Sequence, residues 1–313
     1  MHPQPLPFEN DIKGWVSILA NIARLWHATC FNCKNCKHPL RYKLHKPRMP
    51  MKKAAYLLVP FLALALLANQ RPDNRANGQA TPGSFGHAEQ LRYRIHYGLI
   101  NAGVVTMNTD ETYANIGSQA AMHIRVEGET LKSFEWAYKV RDKFEAWVNP
   151  ATVKPLRYAK TVRENTYYDQ DLAVFNHAAG YLRNRKGQLS ITAETRDIAS
   201  AIYFLRTVNW GALTIGASKP VDVYLDNEVY NLSVAYAGKE TIQTDLGPVR
   251  CLKLKPELVV DRVFKNKNGM TVWVSDDANR IPVRIQTDIQ VGSLKVDLTQ
   301  YSHLKNAFTA LGS

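Results

Sequence analysis

The sequence predicts a mainly β protein: an antiparallel, strongly curved sheet, half-barrel or barrel-like, with one central helix near residues 197–208. Three observations predict it. Apolar side chains recur with period two through much of residues 87–306, turn-forming residues separate those runs, and one stretch repeats its apolar residues at helical spacing. Many short strands with a single helix also suit a sandwich or a closed barrel, so the curved sheet is an expectation for the structure to test.

The elements follow in order. In Leu91–Tyr97 apolar and basic side chains alternate, which puts Leu91, Tyr93, Ile95 and Tyr97 on one face of a half-buried strand. Residues 98–103 have glycine at both ends and read as a longer hairpin loop before Val104–Met107 resumes the strand pattern. Ala120–Glu127, Glu135–Val148, Leu156–Thr166, Leu172–Phe175 and Leu189–Ala193 continue as strands. Asp197–Val208 is the helix: Ile198, Ala201, Ile202 and Leu205 fall at three- and four-residue spacing, and Asp197 is placed to cap the first amides. Val221–Leu225, Val229–Ala235, Glu240–Thr244, Gly247–Leu254, Met270–Ser275, Val283–Thr287 and Ser293–Tyr301 read as the remaining strands. Gly238, Asp245-Leu246-Gly247, Asn268-Gly269 and Asp277-Ala278-Asn279 supply the reversals between them.

Upstream of the body the composition changes. Lys52 and Lys53 precede the uncharged run 54–68, and polar residues follow at once, which is the outline of a secretory signal over residues 51–68. The run is shorter than the ~20 residues that cross a bilayer as a helix, so cleavage is expected, with an inner-membrane anchor through 54–68 as the alternative. Residues 69–86 read as a flexible leader, and residues 1–50 as a disordered extension or one supplied by an over-long gene model. That extension holds the metal-ligand candidates Cys30, Cys33, Cys36 and His38. They sit in one tight run, without the second separated pair that lets a chain wrap a tetrahedral ion, so no metal is assigned.

Net charge narrows the partners. The whole chain is +13, but residues 1–80 carry twelve Lys/Arg against three Asp/Glu, which leaves 28 basic and 24 acidic residues beyond them. The body is thus near neutral, with no basic block interleaved with aromatics, and nucleic acid is not expected as a partner. Cys251 is its only cysteine and reads as a small buried apolar residue, in keeping with export without disulfides. His87, His96, His123, His177 and His303 are scattered, and no nucleophile elbow, P-loop, dinucleotide fingerprint or zincin motif occurs in the body.

Several motifs together resemble one family. Residues 97–103 (YGLINAG), 140–142 (VRD), 197–206 (DIASAIYFLR), 238–240 (GKE) and 273–283 (WVSDDANRIPV) are similar, in order and spacing, to the family known as domain of unknown function 3108. The resemblance runs over nearly all of residues 86–305. It implies an exported or envelope protein of Gram-negative bacteria, many of them Bacteroidota, with a signal peptide and a β-rich body. It brings no established reaction or substrate.

The candidate ligand-binding residues are Arg141, Asp142, Arg163, Glu164, Tyr203, Arg206 and Trp210. The first four lie on neighbouring strands and are placed to pair across the sheet, and Arg206 either anchors an anionic group or ties the helix to the sheet. No catalytic residue and no cofactor is assigned. The aromatic residues of the body suit a concavity that admits an acyl chain or a glycan, so the expected function is that of a periplasmic or outer-membrane-peripheral binding or carrier protein rather than an enzyme. Two alternatives stand beside it: a polysaccharide hydrolase using a carboxylate pair drawn from Asp142, Asp276 and Asp277, and an envelope scaffold that pairs at an open sheet edge.

Overall fold

The computed structural model describes residues 83–260, 263–264, 269–288 and 293–312. The expected signal, the N-terminal extension with its cysteine run and the Asn268 turn residue lie outside the described residues. No helix among the described residues is long and apolar enough to cross a membrane. The strands are β1 (Gln90–Tyr97), β2 (Ile100–Thr109), β3 (Ala114–Ile116), β4 (Gln119–Thr130), β5 (Arg141–Val148), β6 (Pro155–Glu164), β7 (Tyr167–Asn176), β8 (Tyr181–Asn184), β9 (Gly187–Ser190) and β10 (Arg196–Asp197). Helix α1 (Ile198–Thr207) follows, then β11 (Ser218–Leu225), β12 (Glu228–Thr244), β13 (Gly247–Val260), β14 (Val263–Phe264), β15 (Met270–Ser275), β16 (Pro282–Asp288) and β17 (Ser293–Ser302).

Backbone pairing gives one long antiparallel wall. From one end it runs β9, β8, β7, β6, β5, β4, β2, β1. It continues β17, β16, β15, β13, β12, β11, and ends on β10, which pairs in parallel with β11. The wall curls round α1, which packs on β4 and β5 at one side and on β10 and β11 at the other. No backbone ladder joins β9 to β10 among the described residues, so the sheet is barrel-like without closing into a barrel. Side chains bridge the gap instead. Lys160 on β6 bonds Asp169 (2.7 Å) and Asp226 in the β11–β12 turn, while Asn184 bonds Tyr224 (2.6 Å) and Asn227 (2.8 Å).

The alternation expected from sequence fills the inside of the curl. Along β5 the inward residues Asp142, Phe144, Ala146 and Val148 are buried while those between them are partly exposed. Trp210, Tyr93, Tyr158, Tyr203, Tyr224 and Phe144 are fully buried large side chains of the same interior. Filling a curled sheet with bulky side chains and a helix leaves its centre a packed core. Helix α1 begins where Asp197 accepts hydrogen bonds from the amides of Ala199 (2.9 Å) and Ser200 (3.0 Å), and it ends where Val208 turns extended. The Trp210 indole then donates to the Leu205 carbonyl at 2.9 Å, satisfying an acceptor of the last turn.

Several expectations are corrected. Residues 98–103 are no long loop: Tyr97 pairs with Ile100 across a tight turn in which Gly98 has φ +54°. Gly103 lies inside β2, where a Cβ would come within 2.6 Å of the Glu129 carbonyl, so it marks a close backbone approach. Glu135–Val148 is not one strand, because Lys132–Phe134 form a 3-10 turn and extension starts only at Arg141. Val229–Ala235 and Glu240–Thr244 belong to one strand, β12, in which Gly238 (φ +102°) makes a bulge rather than a reversal. The folded body also reaches beyond residues 87–306. Ser84 and Phe85 are buried, and the amides of Arg250 and Gly312 bond the carbonyls of Ala310 and Pro248.

Candidate functional site

Tyr203, Arg206 and Trp210 are fully buried in the interior. Arg206 makes a two-pronged contact with Glu89 (2.6 and 2.8 Å) and donates to the carbonyls of Ser84 (3.1 Å) and Asn279 (3.2 Å). Burial opposes its charge, but the Glu89 carboxylate outweighs burial and holds the guanidinium protonated. Burial likewise pushes the Tyr203 phenol well above its ordinary range. With four of its five donors taken, Arg206 ties α1 to the chain before β1 and to the β15–β16 turn, which is the structural role read from sequence.

Arg141, Asp142, Arg163 and Glu164 do not form the cross-sheet array. Strand alternation points Asp142 and Glu164 inward and Arg141 and Arg163 outward, so the pairs fall on opposite faces. Arg141 bonds Glu135 and the Thr130 carbonyl (3.1 Å), and Arg163 lies over the Tyr168 ring at 5.5 Å. Asp142 accepts from the Arg163 amide (3.1 Å), and Tyr138 donates to Glu164 (3.2 Å). Asp277 organises its own turn, its Oδ1 accepting from Ser275 Oγ (2.8 Å) and the amides of Asn279 (3.0 Å) and Arg280 (3.2 Å). Asp276 pairs with Lys239 at 2.8 Å. In the ladder β4, β2, β1, β17 and β16 lie between Asp142 on β5 and these aspartates, so the expected carboxylate pair is not assembled on one pair of strands.

The concave surface with convergent polar groups lies outside the wall. Its floor is the outer face of β2, β1, β17 and β16, where the alternation that buries Leu91, Tyr93 and Ile95 turns Arg92, Arg94 and His96 outward. The tip of the β12–β13 hairpin folds over this floor. Arg284 donates to the Gln243 carbonyl at 3.1 Å, and Arg94 meets Asp245 at 2.7 Å. Asp297 in turn receives Arg284 and lies 2.7 Å from His96 Nε2. Two hollows of about 290 and 340 Å³ share Arg94, Asn101 and Asp245 in their lining and form the two lobes of this groove. The first is completed by Asn101, Leu131, Thr299 and Gln300, the second by Asn101, Gln243 and Thr244.

None of the seven candidates read from sequence lines this groove. The signal that finds half of it is the run of basic residues on the wet side of β1. The other half comes from strands distant in sequence.

A curled antiparallel wall around one helix, with a polar groove on its outer face, makes this a barrel-like β domain. The chain belongs to the family of unknown function DUF3108, whose model matches residues 92–299. No curated protein matches it. Among solved structures it is similar to a β-barrel-like DUF1849 protein from Brucella abortus (9% identity, TM-score 0.48, covering 69% of this chain and 98% of that one). It is also similar to a protein of YmcC-like fold from Bacteroides fragilis, named as exported (11% identity, TM-score 0.34, 72% and 100% covered). A third, from Parabacteroides distasonis and named as a lipoprotein, matches at 11% identity and TM-score 0.33, with 72% and 100% covered.

Proposed function

We propose that this is a non-catalytic binding protein of the bacterial envelope whose ligand is a glycan bearing an acidic group, held in the groove between β1 and the β12–β13 tip. The observation that carries the reading is the joining of Arg94, Arg284 and His96 with Asn101, Gln243, Thr244, Thr299 and Gln300 in two adjacent lobes. Amide and hydroxyl side chains match sugar hydroxyls, and guanidinium groups match a carboxylate or phosphate substituent. The interior, by contrast, is occupied by its own side chains, which argues against an acyl chain there. Arg94 and Asp245 are 43% and 59% exposed, and such a pair is worth only about 0–1 kcal/mol, so an incoming anion displaces Asp245 at little cost. The signal-like segment 51–68 supports an exported location.

The test is calorimetric titration of the full chain with oligogalacturonides and with neutral oligosaccharides of equal length. Preference for the acidic series is expected, with Arg92→Ala and Arg94→Ala each lowering affinity about tenfold. Wild-type protein that binds neither series, or variants that bind as well as wild type, would sink the groove reading.

A further inference from the structure

Outward residues on β6, β7, β8 and β9 form a second surface whose chemistry differs from everything around it. The pairing registers set them in rows. Arg157 lies beside Val174, Val174 beside Arg183 and Arg183 beside Gln188; Ala159 lies beside Leu172, Thr161 beside Gln170 and Arg163 beside Tyr168. No carboxylate occupies any of these positions. The neighbouring outer face of β4 and β5 is the opposite: Arg125 pairs with Asp110, Lys143 with Glu127 and Glu145, and Arg141 with Glu129 and Glu135. On β6–β8 the arginines instead lie over rings, Arg157 on Trp147 (4.8 Å), Arg163 on Tyr168 (5.5 Å) and Arg183 on Tyr181 (5.2 Å). None of the three has an ion-pair partner among the described residues, and Arg157 Nε is buried without a hydrogen-bond acceptor. Between them stand Leu172 and Val174, 46% and 50% exposed, with Tyr168 at 53%.

We propose that this face docks on an anionic lipid bilayer. The argument is charge complementarity joined to an apolar centre. Arg163 and Arg183, exposed and resting near the Tyr168 and Tyr181 rings, keep guanidinium donors available for lipid phosphates. Val174, flanked by Arg157 and Arg183, and Leu172 beside it reach the boundary between headgroups and acyl chains, and Tyr168 and Tyr181 have the amphipathic form that favours that depth. A specific protein partner asks for pockets and fixed hydrogen-bond geometry, whereas this is an open sheet face with scattered cations and two aliphatic side chains. The surface is separate from the groove, and it stands or falls independently of any glycan.

Vesicle co-sedimentation of the full chain tests it, because residues 1–82 contribute equally to every variant. Vesicles of phosphatidylcholine alone are compared with vesicles containing phosphatidylglycerol, at low and high salt. Wild type is expected to prefer the anionic vesicles and to lose that preference in high salt. Arg163→Gln with Arg183→Gln lowers binding about tenfold, while Arg125→Gln with Lys143→Gln, an equal charge change on the β4–β5 face, leaves it close to wild type. Leu172→Ser with Val174→Ser weakens vesicle binding and leaves binding to soluble polygalacturonate unchanged. Thermal melts matching wild type establish that these exposed substitutions leave the fold intact. The proposal is overturned if wild type shows no anionic preference, if both charge variants lose binding equally, or if the serine variant binds vesicles as well as wild type. The last result would leave the apolar centre with no part in binding.

Discussion

Inside the sheet Arg206 meets Glu89 with the two side chains 1% and 0% exposed; outside it Arg94 meets Asp245 with 43% and 59% exposed. The bond lengths are alike, 2.6 and 2.7 Å, and the consequences differ. A buried guanidinium stripped of water depends on its partner, so that pair fixes geometry and is unavailable to a ligand. An exposed pair is half solvated and exchanges readily. Proximity of opposite charges therefore says nothing about function until burial is known, and it is burial that moves the candidate site from the helix to the groove.

The contrast breaks first at Arg206. Arg206→Met leaves the Glu89 carboxylate buried without its counter-charge, and unfolding in denaturant is expected to show a loss of about 3–5 kcal/mol, much of it recovered when Glu89→Leu is added. A loss below about 1 kcal/mol would mean that water reaches this pair. Lys160 comes next. Its ordinary pKa is opposed by burial but raised on balance by its bonds to Asp169 and Asp226, and Lys160→Met is expected to cost about 2–3 kcal/mol, less than at Arg206 because both carboxylates touch water.

Asp197 sharpens the comparison through pH. Burial pushes its carboxyl up to about 6 despite the bonds from Ser200 and Ala199. The folded state then holds a proton that the unfolded chain, with an ordinary aspartate near 3.8, has already released. This group's contribution is thus full below that ordinary value and is lost as pH rises through about 6. Asp197→Asn keeps a side-chain acceptor for the helix amides and flattens that slope, which melts recorded across the window will show. The smallest effect is at the surface: Arg94→Ala is expected to shift stability by less than about 1 kcal/mol, so a change in glycan affinity there reports binding and not folding.

Most of the wall was legible because each strand has one wet and one dry side, and period-two alternation records that directly. The exceptions have physical causes. Phe134, Trp136 and Tyr138 alternate as a strand would, yet Trp136 is exposed and the backbone there turns through bonds such as Ala137 to Phe134, a local choice the pattern does not encode. Gly238 and Gly103 look alike in sequence but serve a bulge and a close approach, which depend on a neighbouring strand. The groove was half legible. Arg92, Arg94 and His96 share a face of one strand, while Asp245, Arg284 and Asp297 join them only through the curl of the sheet. Arg206 was legible as a tie between helix and sheet or as an anchor for an anionic group, and only its burial against Glu89 decides between them.

The order of strands also sets a schedule for folding. β1 sits between β2 and β17, and Thr299 on the last strand bonds the Arg92 carbonyl across 207 residues of chain. A chain emerging from its N-terminus can pair β1 with β2 in a local hairpin, but the other backbone edge of β1 has its ladder partner only once β17 is made. The interval before that final strand is when the protein is most open to mispairing, and a chaperone or a slow pause in synthesis would matter most there.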